Sequence, residues 1–331
     1  MENKPKFAVI GGGSWATAIA KMLCENQEEI AWYMRSTNAI EHLKLQKHNP
    51  NYLSSVTFDT SKLKLTNDIN EAVAYADYVI FVVPSAFLSK ELENLTESLE
   101  GKIIFSAIKG IVPESSLIVG EHFNTKYNIP FENIGVITGP CHAEEVAMER
   151  LSYLTIACSD RKKAKYVATN LSSHYIKAKT TDDIIGTEYA AVLKNIYAIA
   201  AGMAHGLGYG DNFQAVLMSN GIREMKKFIR KVHKMKRNIN NSAYLGDLLV
   251  TGYSVFSRNR MFGNMIGKGY TVKSAQMEMS MVAEGYYAVK SAYKLNQGYG
   301  ADTPIIDAVY QILYENKEAK AVFKKLTDQL N

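Results

Sequence analysis

One helical segment carries a lone charged side chain in apolar surroundings. Residues 190–204 read AAVLKNIYAIAAGMA, with Lys194 as the one charge and Asn195 as the one amide. We expect a lysine in such a helix to be buried, and burial lowers its pKa from about 10.4 towards values useful for proton transfer. Lys194 is therefore a candidate general acid and base. The alternative is a side chain that extends along the helix to reach water.

A glycine-rich loop near the start of the chain is a second candidate. Residues 11–16 read GGGSWA, a G-x-G-x-x-A pattern between a β-rich run and the helical segment TAIAKMLCEN. In this pattern Gly11 permits a tight turn, Gly13 lets the backbone approach a pyrophosphate, and Ala16 allows close packing. The N-terminus of the helix adds N–H donors and partial positive charge. The pattern predicts a dinucleotide site; the alternative is a tight turn without a ligand.

The end of the second predicted strand bears on cofactor choice. It reads AWYMRS and has Arg35 where NAD-selective sites usually place an acidic residue that binds the ribose 2′-hydroxyl. A guanidinium pairs well with a 2′-phosphate. Arg35 therefore favours NADPH, or the use of both NADPH and NADH. The alternative is an arginine that stacks beside the adenine ring.

Further candidates follow other predicted strands, where ligands bind in open α/β sheets. Lys109 lies in SAIKG after one apolar run, and the cation could bind a phosphate or a carbonyl oxygen. TGPCHAEE, residues 138–145, follows another such run.

The elements that position these residues change character halfway along the chain. In the first half, near-continuous apolar runs such as VIFVV and IGVIT are typical of strands buried on both faces by helices. Strands are predicted at 6–11, 29–33, 78–83, 102–107, 133–138 and 153–157, with helices at 14–27, 68–76, 85–98, 114–123, 143–150 and 162–171. After about Thr180 only helices are predicted, at 187–205, 212–232, 245–251, 271–279, 284–295, 303–314 and 317–330. The predicted fold is an α/β N-terminal domain with a doubly wound, Rossmann-like parallel sheet (1–185), followed by an all-α C-terminal domain (186–331).

Composition limits the class of protein. The chain has 331 residues, of which 47% are hydrophobic and 21% charged, so it is not a disordered protein. Its three cysteines form no C-x-x-C pair, its start does not resemble a signal peptide, and no apolar run is long enough to span a membrane. We therefore expect a cytoplasmic protein without an integral membrane segment. The seven histidines show no metal-ligand spacing, so no metal is expected.

The net charge of +5 has a local source. Residues 226–237 contain seven lysine and arginine side chains and no acid. These charges form either a solvated helix face or a surface for an anionic partner. No nucleic-acid-binding motif accompanies them, so no nucleic-acid partner is expected.

Several motifs together resemble one known family. GGGSWATAIA, IKG, GPCHAEEVA, KNIYAIAAGMAHGLGYGDN, LGDLLVTGYS, SRNRMFG and VAEGY occur in this order. With these motifs the chain resembles the bacterial NAD(P)-dependent glycerol-3-phosphate dehydrogenases, from Phe7 to about Tyr314. The combination of SRNRxFG with the KN helix and GDLxxT is specific to that family, whereas the glycine loop alone is not.

The resemblance implies an activity and a set of site residues. The reaction would interconvert dihydroxyacetone phosphate and sn-glycerol 3-phosphate with NADPH or NADH, and would supply glycerol 3-phosphate for phospholipid synthesis. Lys194 would donate and accept the proton, helped by Lys109 and Asp247. The residues implied at the cofactor are Gly11, Gly13, Ser14, Trp15, Arg35, Lys109, Ala143, Arg258, Val282 and Glu284. Those implied at the substrate are Lys109, Gly139, Cys141, Lys194, Asn195, Asp247, Thr251, Ser257, Arg258 and Asn259.

The chain departs from the family pattern at four positions. Ala16 replaces a usual glycine, His205 a commonly acidic residue, and Tyr253 a smaller one. Cys141 lacks the hydroxyl usual in the G-P-[ST]-F-A motif, so its substrate contact stays open. None of these changes removes the acid/base or phosphate-binding groups.

Two other functions are compatible with the fold. One is a non-catalytic dinucleotide-binding sensor subunit, and the other is a dehydrogenase of a different hydroxy acid. A sensor would need the glycine loop but not Lys194, Asp247 and Arg258 together. Preference between NADH and NADPH, feedback regulation and oligomeric state, for which a homodimer is one option, are not decided by the sequence.

Overall fold

The computed structural model describes residues 4–279 and 283–331. The contacts divide the chain into two units. The first comprises Met1–Ile108 and Val119–Ile184, and the second comprises Lys109–Ile118 and Ile185–Asn331. The segment Lys109–Ile118 thus packs with the second unit, although it lies in the chain between two parts of the first.

The first unit is built on a single large sheet. The strands of the described chain are β1 (Phe7–Ile10), β2 (Ile30–Tyr33), β3 (Leu63–Thr66), β4 (Tyr78–Phe81), β5 (Ile103–Ser106), β6 (Ile111–Val112), β7 (Leu117–Ile118), β8 (Ile134–Thr138), β9 (Ser152–Cys158) and β10 (Ile176–Thr181). Eight of them form the sheet in the order β10-β9-β8-β5-β4-β1-β2-β3. Strands β1 to β5 and β8 are parallel, whereas β9 pairs antiparallel with β8 and parallel with β10.

This topology places the glycine loop where a ligand is expected. Strand β1 is central, with Ala8 paired to Ala31 of β2 on one side and to Val79 of β4 on the other. The order of strands along the chain reverses at β1, and ligands of doubly wound sheets bind at such a reversal, beyond the carboxyl ends of the strands. All residues of β1, β2 and β4 are buried, as the apolar runs predicted.

The helices cover the sheet and build the second unit. They are α1 (Ser14–Asn26), α2 (Thr37–Gln46), α3 (Ile69–Tyr75), α4 (Leu88–Leu92), α5 (Val119–Tyr127), α6 (Ala143–Ala147), α7 (Arg161–Leu171), α8 (Ile184–Gly206), α9 (Asp211–Val232), α10 (Asp247–Tyr253), α11 (Arg258–Gly267), α12 (Val272–Glu278), α13 (Glu284–Tyr299), α14 (Pro304–Tyr314) and α15 (Ala319–Thr327). Among these helices none has the length and apolarity needed to cross a membrane.

The second unit is organised around α8, whose apolar side chains lie at the centre of its core. Helix α11 packs on α8 with the two backbones in contact. A Cβ atom on Gly202 of α8 would lie 2.0 Å from the carbonyl oxygen of Arg260, and one on Gly263 of α11 would lie 2.0 Å from that of Ile199. Only glycine allows this approach, which brings the start of α11 towards the middle of α8.

The fold class is confirmed, but several elements differ from the prediction. Strands β3 and β10, helices α2 and α11 and the β6–β7 hairpin were not predicted. The helix predicted at 114–123 begins at Val119, because the residues before it form the antiparallel hairpin in which Ile111 pairs with Ile118.

Candidate active site

The glycine loop of the first unit needs glycine at its first position. Gly11 follows β1 with a φ of +136°, and a Cβ atom there would lie 2.4 Å from the carbonyl oxygen of Val82. Gly13 is different, because its φ is −81° and a Cβ atom would meet no described atom within 4 Å. The space beside Gly13 is therefore open towards a ligand and not filled by the chain itself.

Two buried side chains hold the loop in place. The indole N–H of Trp32 donates to the carbonyl oxygen of Gly11 at 2.8 Å. The amide nitrogen of Asn49, which is also buried, donates to the carbonyl oxygen of Gly12 at 3.1 Å and to the Thr17 hydroxyl at 2.9 Å. Sequence reasoning missed Asn49, since a single amide in a loop belongs to no recognisable pattern.

The start of α1 fits the phosphates of a dinucleotide. Ser14 is the first residue of the helix, and the N-cap residue before it, Gly13, has no side chain that could cap the N–H groups there. Unpaired N–H groups at a helix N-terminus, together with the helix dipole, favour an anion. Trp15 lies half-buried in the next position, and Arg35 is exposed two residues beyond β2. These residues would hold NADH or NADPH, with the pyrophosphate against Gly13 and Ser14.

Three other candidates of the first unit follow a different strand of the sheet. Gly139, Cys141 and Ala143 follow β8, which β5 and β4 separate from β1. The side chains of Cys141 and Ala143 are buried in the core of the first unit, and α6, which begins at Ala143, packs against α1. A ligand contact at these positions would therefore have to come from the backbone.

In the second unit, Lys194 and Asp247 form a buried ion pair. Their exposed fractions are 3% and 1%, and the Nζ of Lys194 donates to Oδ1 of Asp247. Thr251, one turn after Asp247 on α10, donates its hydroxyl to the carbonyl oxygen of Asp247 at 2.6 Å. The lysine is therefore held in one position, and it does not extend to the surface.

The surroundings adjust the acidity of Lys194. Burial is the largest influence and lowers its pKa to about 8. The negative charge of Asp247 acts in the opposite direction, while the positive charge of Lys109 lowers the pKa further. A lysine with this pKa can give up and take back a proton near neutral pH, which an ordinary surface lysine cannot do efficiently.

Lys109 lies near Lys194, although the two residues are 85 positions apart in the chain. The amide nitrogen of Asn195 donates to the carbonyl oxygen of Lys109 at 3.2 Å and ties this segment to α8. Lys109 itself is half-buried. The structure therefore brings Lys109, Lys194 and Asn195 together with Asp247 and Thr251 in the second unit.

The start of α11 supplies donors of a different kind. Ser257 caps this helix by accepting the N–H of Arg260 at 3.3 Å, and Arg258 is its first residue. The Oδ1 of Asn259 accepts the N–H of Gly285 at 2.9 Å, which joins α11 to α13. Glu284 is the first residue of α13, and Val282 lies outside the described residues.

The charge around these helices suits an anionic ligand. Among the candidate residues of the second unit, three are cations, Lys109, Lys194 and Arg258, and two are acids, of which Asp247 is paired with Lys194. A guanidinium and the N-terminus of a helix are both common partners of phosphate. The arrangement can therefore bind a phosphate at the start of α11 and move a proton at Lys194.

Comparisons with known proteins agree with this arrangement. Residues 6–164 match the family model for the NAD-dependent glycerol-3-phosphate dehydrogenase N-terminus, and residues 183–324 match the model for the C-terminus. The chain is 35% identical to a glycerol-3-phosphate dehydrogenase [NAD(P)+] from Streptococcus sanguinis, with 99% of this chain and 97% of the relative covered. It is 34% identical to the enzyme of that name from Bacillus subtilis, with 97% and 93% covered.

A solved structure shares the whole fold. The crystal structure of glycerol-3-phosphate dehydrogenase from Coxiella burnetii superposes with a TM-score of 0.90 and 27% sequence identity, and the match covers 98% of this chain and 99% of that one. The resemblance inferred from the motifs is therefore confirmed over both halves. The chain belongs to the NAD-dependent glycerol-3-phosphate dehydrogenase family and is an NAD(P)-dependent oxidoreductase.

Proposed function

We propose that the chain interconverts dihydroxyacetone phosphate and sn-glycerol 3-phosphate, with NADH or NADPH as the redox partner. The observation that carries the proposal is the buried pair of Lys194 and Asp247 in the same unit as the cationic start of α11. The first group suits a proton transfer to a carbonyl oxygen, and the second suits a phosphate. A substrate with both a ketone and a phosphate uses both groups.

The phosphate would be held by Arg258 and the N-terminus of α11. Arginine offers a planar set of donors that pairs with two phosphate oxygens at once. Asn259 adds an amide nitrogen, because its oxygen is already used by the N–H of Gly285. Binding energy gained at this distant group supports turnover as well as affinity.

The proton would pass between Lys194 and the substrate oxygen. When bound, reduced nicotinamide supplies the hydride to the carbonyl carbon. The carbonyl oxygen then gains negative charge, and the ammonium of Lys194 donates a proton to it and becomes a neutral amine. In the reverse direction the neutral amine accepts the hydroxyl proton. Lys109 keeps its charge throughout and stabilises the developing alkoxide.

Asp247 would act as a positioning residue. It holds Lys194 on the required side of α8, and its negative charge opposes the loss of the proton that burial favours. Thr251 supports the turn that carries Asp247. The pKa of Lys194 therefore stays within reach of physiological pH.

The alternatives make weaker use of these residues. A dinucleotide-binding sensor would not need a buried lysine paired with Asp247, because burying an ion pair is costly unless it serves a purpose. A dehydrogenase of a hydroxy acid without phosphate would leave Arg258 and the start of α11 without a ligand.

The cofactor proposal includes both nicotinamide dinucleotides. Arg35 is exposed at the end of β2, at the position that meets the 2′ substituent of the adenosine ribose in this fold. It would pair with the 2′-phosphate of NADPH, and no acid stands at that position to reject it. NADH would bind through the remaining loop contacts.

We also propose that the chain acts in the cytoplasm as a homodimer and supplies glycerol 3-phosphate for phospholipid synthesis. Its cysteines, Cys24, Cys141 and Cys158, are all free thiols, as expected in a reducing compartment.

Between residues 249 and 261 several large apolar side chains are exposed, Val255 the most at 71%, and such side chains are common in subunit contacts. Light scattering during size exclusion measures the assembly, and a monomer would contradict the dimer.

The activity is tested by following the absorbance of reduced nicotinamide with dihydroxyacetone phosphate as the sole acceptor. We expect rapid loss of absorbance with this substrate and little with dihydroxyacetone, which has the ketone but lacks the phosphate. Pyruvate serves as the control for a hydroxy-acid dehydrogenase. Comparable kcat/KM on dihydroxyacetone, or turnover of pyruvate alone, would contradict the proposed function, and no turnover with any acceptor would favour a sensor.

A further inference from the structure

The basic segment 226–237 ends helix α9 and then folds back over it. Helix α9 stops at Val232, and the chain leaves it without regular structure. Arg237 donates through one guanidinium nitrogen to the carbonyl oxygen of His233 at 2.7 Å, and its other nitrogen contacts Nδ1 of His233 at 2.8 Å. The loop after the helix is therefore fixed against the last turn.

The end of α9 and this loop line a half-open surface pocket of about 570 Å³. Its floor is apolar and consists of Ile229, Met235 and Ile239, of which Ile229 is buried. Pockets of about 300–1,000 Å³ with an apolar lining and a few converging polar groups are the usual form of small-molecule sites. The pocket lies in the second unit, on elements different from those that carry Lys194 and Arg258.

The rim of the pocket is entirely cationic. Five of its lining residues are basic, namely Lys226, Arg230, Lys234, Lys236 and Arg237, and within the described chain no acidic residue lines it. Neighbouring Lys227 points elsewhere and pairs with Asp302 at 2.6 Å. Clustered like charges repel one another and weaken the folded state unless a counter-ion binds.

A solvated helix end explains only part of this arrangement. Cations in the last turn of a helix offset its dipole, as Arg230 and Lys231 do in α9, and Arg237 binds the carbonyl oxygen of the C-cap residue His233. Lys234 and Lys236 lie beyond the helix, yet they line the same pocket as Lys226 and Arg230 of α9. Capping the helix does not require that cations from the helix and cations from the loop line the same concavity.

We propose that this pocket is a second ligand site, for a ligand or surface that presents two or more clustered phosphate groups. The five cations can offset the several negative charges of such a ligand, and the apolar floor accommodates its carbon portion. The phosphates could come from a soluble organic polyphosphate or from the headgroups of anionic phospholipids. Both sources share the chemistry that the rim recognises.

The test measures binding to the full chain with its other anion sites filled. NADH and glycerol 3-phosphate together fill the proposed cofactor and substrate sites without turnover, since both are reduced. Tripolyphosphate is then titrated by calorimetry. In a parallel arm, the chain is sedimented with vesicles of phosphatidylcholine alone or of phosphatidylcholine mixed with phosphatidylglycerol.

Two matched double variants locate the binding. Arg230→Glu with Lys234→Glu reverses two charges of the rim, and Lys324→Glu with Lys325→Glu makes the same change on exposed residues of α15 outside the pocket. Each lost charge-assisted contact typically weakens binding by about tenfold, so the rim variant should bind roughly 10–100-fold more weakly. The α15 variant should bind like the unchanged chain, and both should retain kcat.

The outcomes decide both the site and its source of phosphate. Tripolyphosphate binding that the rim variant alone loses supports a soluble ligand. Binding to phosphatidylglycerol vesicles alone, lost in the same variant, supports the pocket with lipid headgroups as its ligand. Equal weakening of binding in both variants would show that binding depends only on the overall charge of the chain, and this would overturn the proposal. Absence of binding in both arms would overturn it as well.

Discussion

Replacing Asp247 by asparagine should move the pH dependence of the reaction. The exchange keeps the shape of the side chain and removes its negative charge, which opposes the loss of a proton from Lys194. Two unit charges about 4 Å apart attract by about 4 kcal/mol at an effective dielectric constant near 20, which corresponds to about three pKa units. Without that attraction the pKa of Lys194, now lowered to about 8, should fall to roughly 5–6.

The two reaction directions should respond in opposite senses. Reduction of the ketone requires the protonated lysine, so its kcat/KM falls as pH rises through the pKa of the free enzyme. At pH 7 the protonated fraction should drop from about nine tenths to about a tenth or less, a loss of roughly tenfold or more in reduction. Oxidation of the alcohol requires the neutral amine and should keep its activity at that pH.

The assay is kcat/KM against pH in both directions, with thermal unfolding as a check on the fold. Removing one partner of a buried ion pair typically costs about 3–5 kcal/mol of stability, so a lower Tm is expected. Asp302→Asn is the matched control, since it makes the same exchange in the exposed pair with Lys227. If the reduction limb stays near pH 8 in a folded Asp247→Asn variant, the proposed control of Lys194 by Asp247 is wrong.

Three further predictions concern cofactor binding and stability. Arg35→Ala should raise KM for NADPH by roughly 10–100-fold and leave KM for NADH nearly unchanged; equal losses would place Arg35 over the adenine instead. Gly13→Ala, which meets no atom of the chain, should keep Tm while weakening dinucleotide binding by about tenfold or more, which titration of intrinsic fluorescence measures. Gly11→Ala should instead lower Tm, because its Cβ atom would collide with a carbonyl oxygen; identical behaviour of the two variants would refute this distinction. Glu224→Ala should reduce the free energy of unfolding by about 2–4 kcal/mol, because the buried carboxyl group accepts two N–H groups at the start of α14; an unchanged denaturation midpoint would contradict this.

Much of the fold could be predicted because its central strands are buried on both faces. Strands β1, β4 and β8 are buried throughout and consist almost entirely of apolar residues, and such runs are visible in the sequence. The missed strands β3 and β10 lie at the two edges of the sheet, where exposed lysines alternate with other residues and hide the pattern. Helix α11 was not predicted because its glycines and charged residues do not form the pattern of an independent helix. They are explained by its close contact with α8.

The surroundings of a candidate residue were predictable where a local sequence pattern determines them. Lys194 stands out as a lone charge in an apolar helix, and its burial follows from that context. Its contact with Lys109 could not be read from the sequence, because it depends on segment 109–118 leaving the first unit to pack with the second. Asn49 fixes the glycine loop through a contact 37 residues away, and nothing near it in the chain indicates this role.

The most direct test of the account is the kcat of Lys194→Ala with dihydroxyacetone phosphate and saturating NADPH. A positioned acid or base typically contributes about 10²–10⁴-fold, and kcat should fall by that factor while the affinity for NADPH, for which we expect most contacts in the first unit, changes little. A folded Lys194→Ala variant with near-normal kcat would contradict this role of Lys194. The proton transfer would then have to be assigned to another group, and Lys109 would be the first to examine.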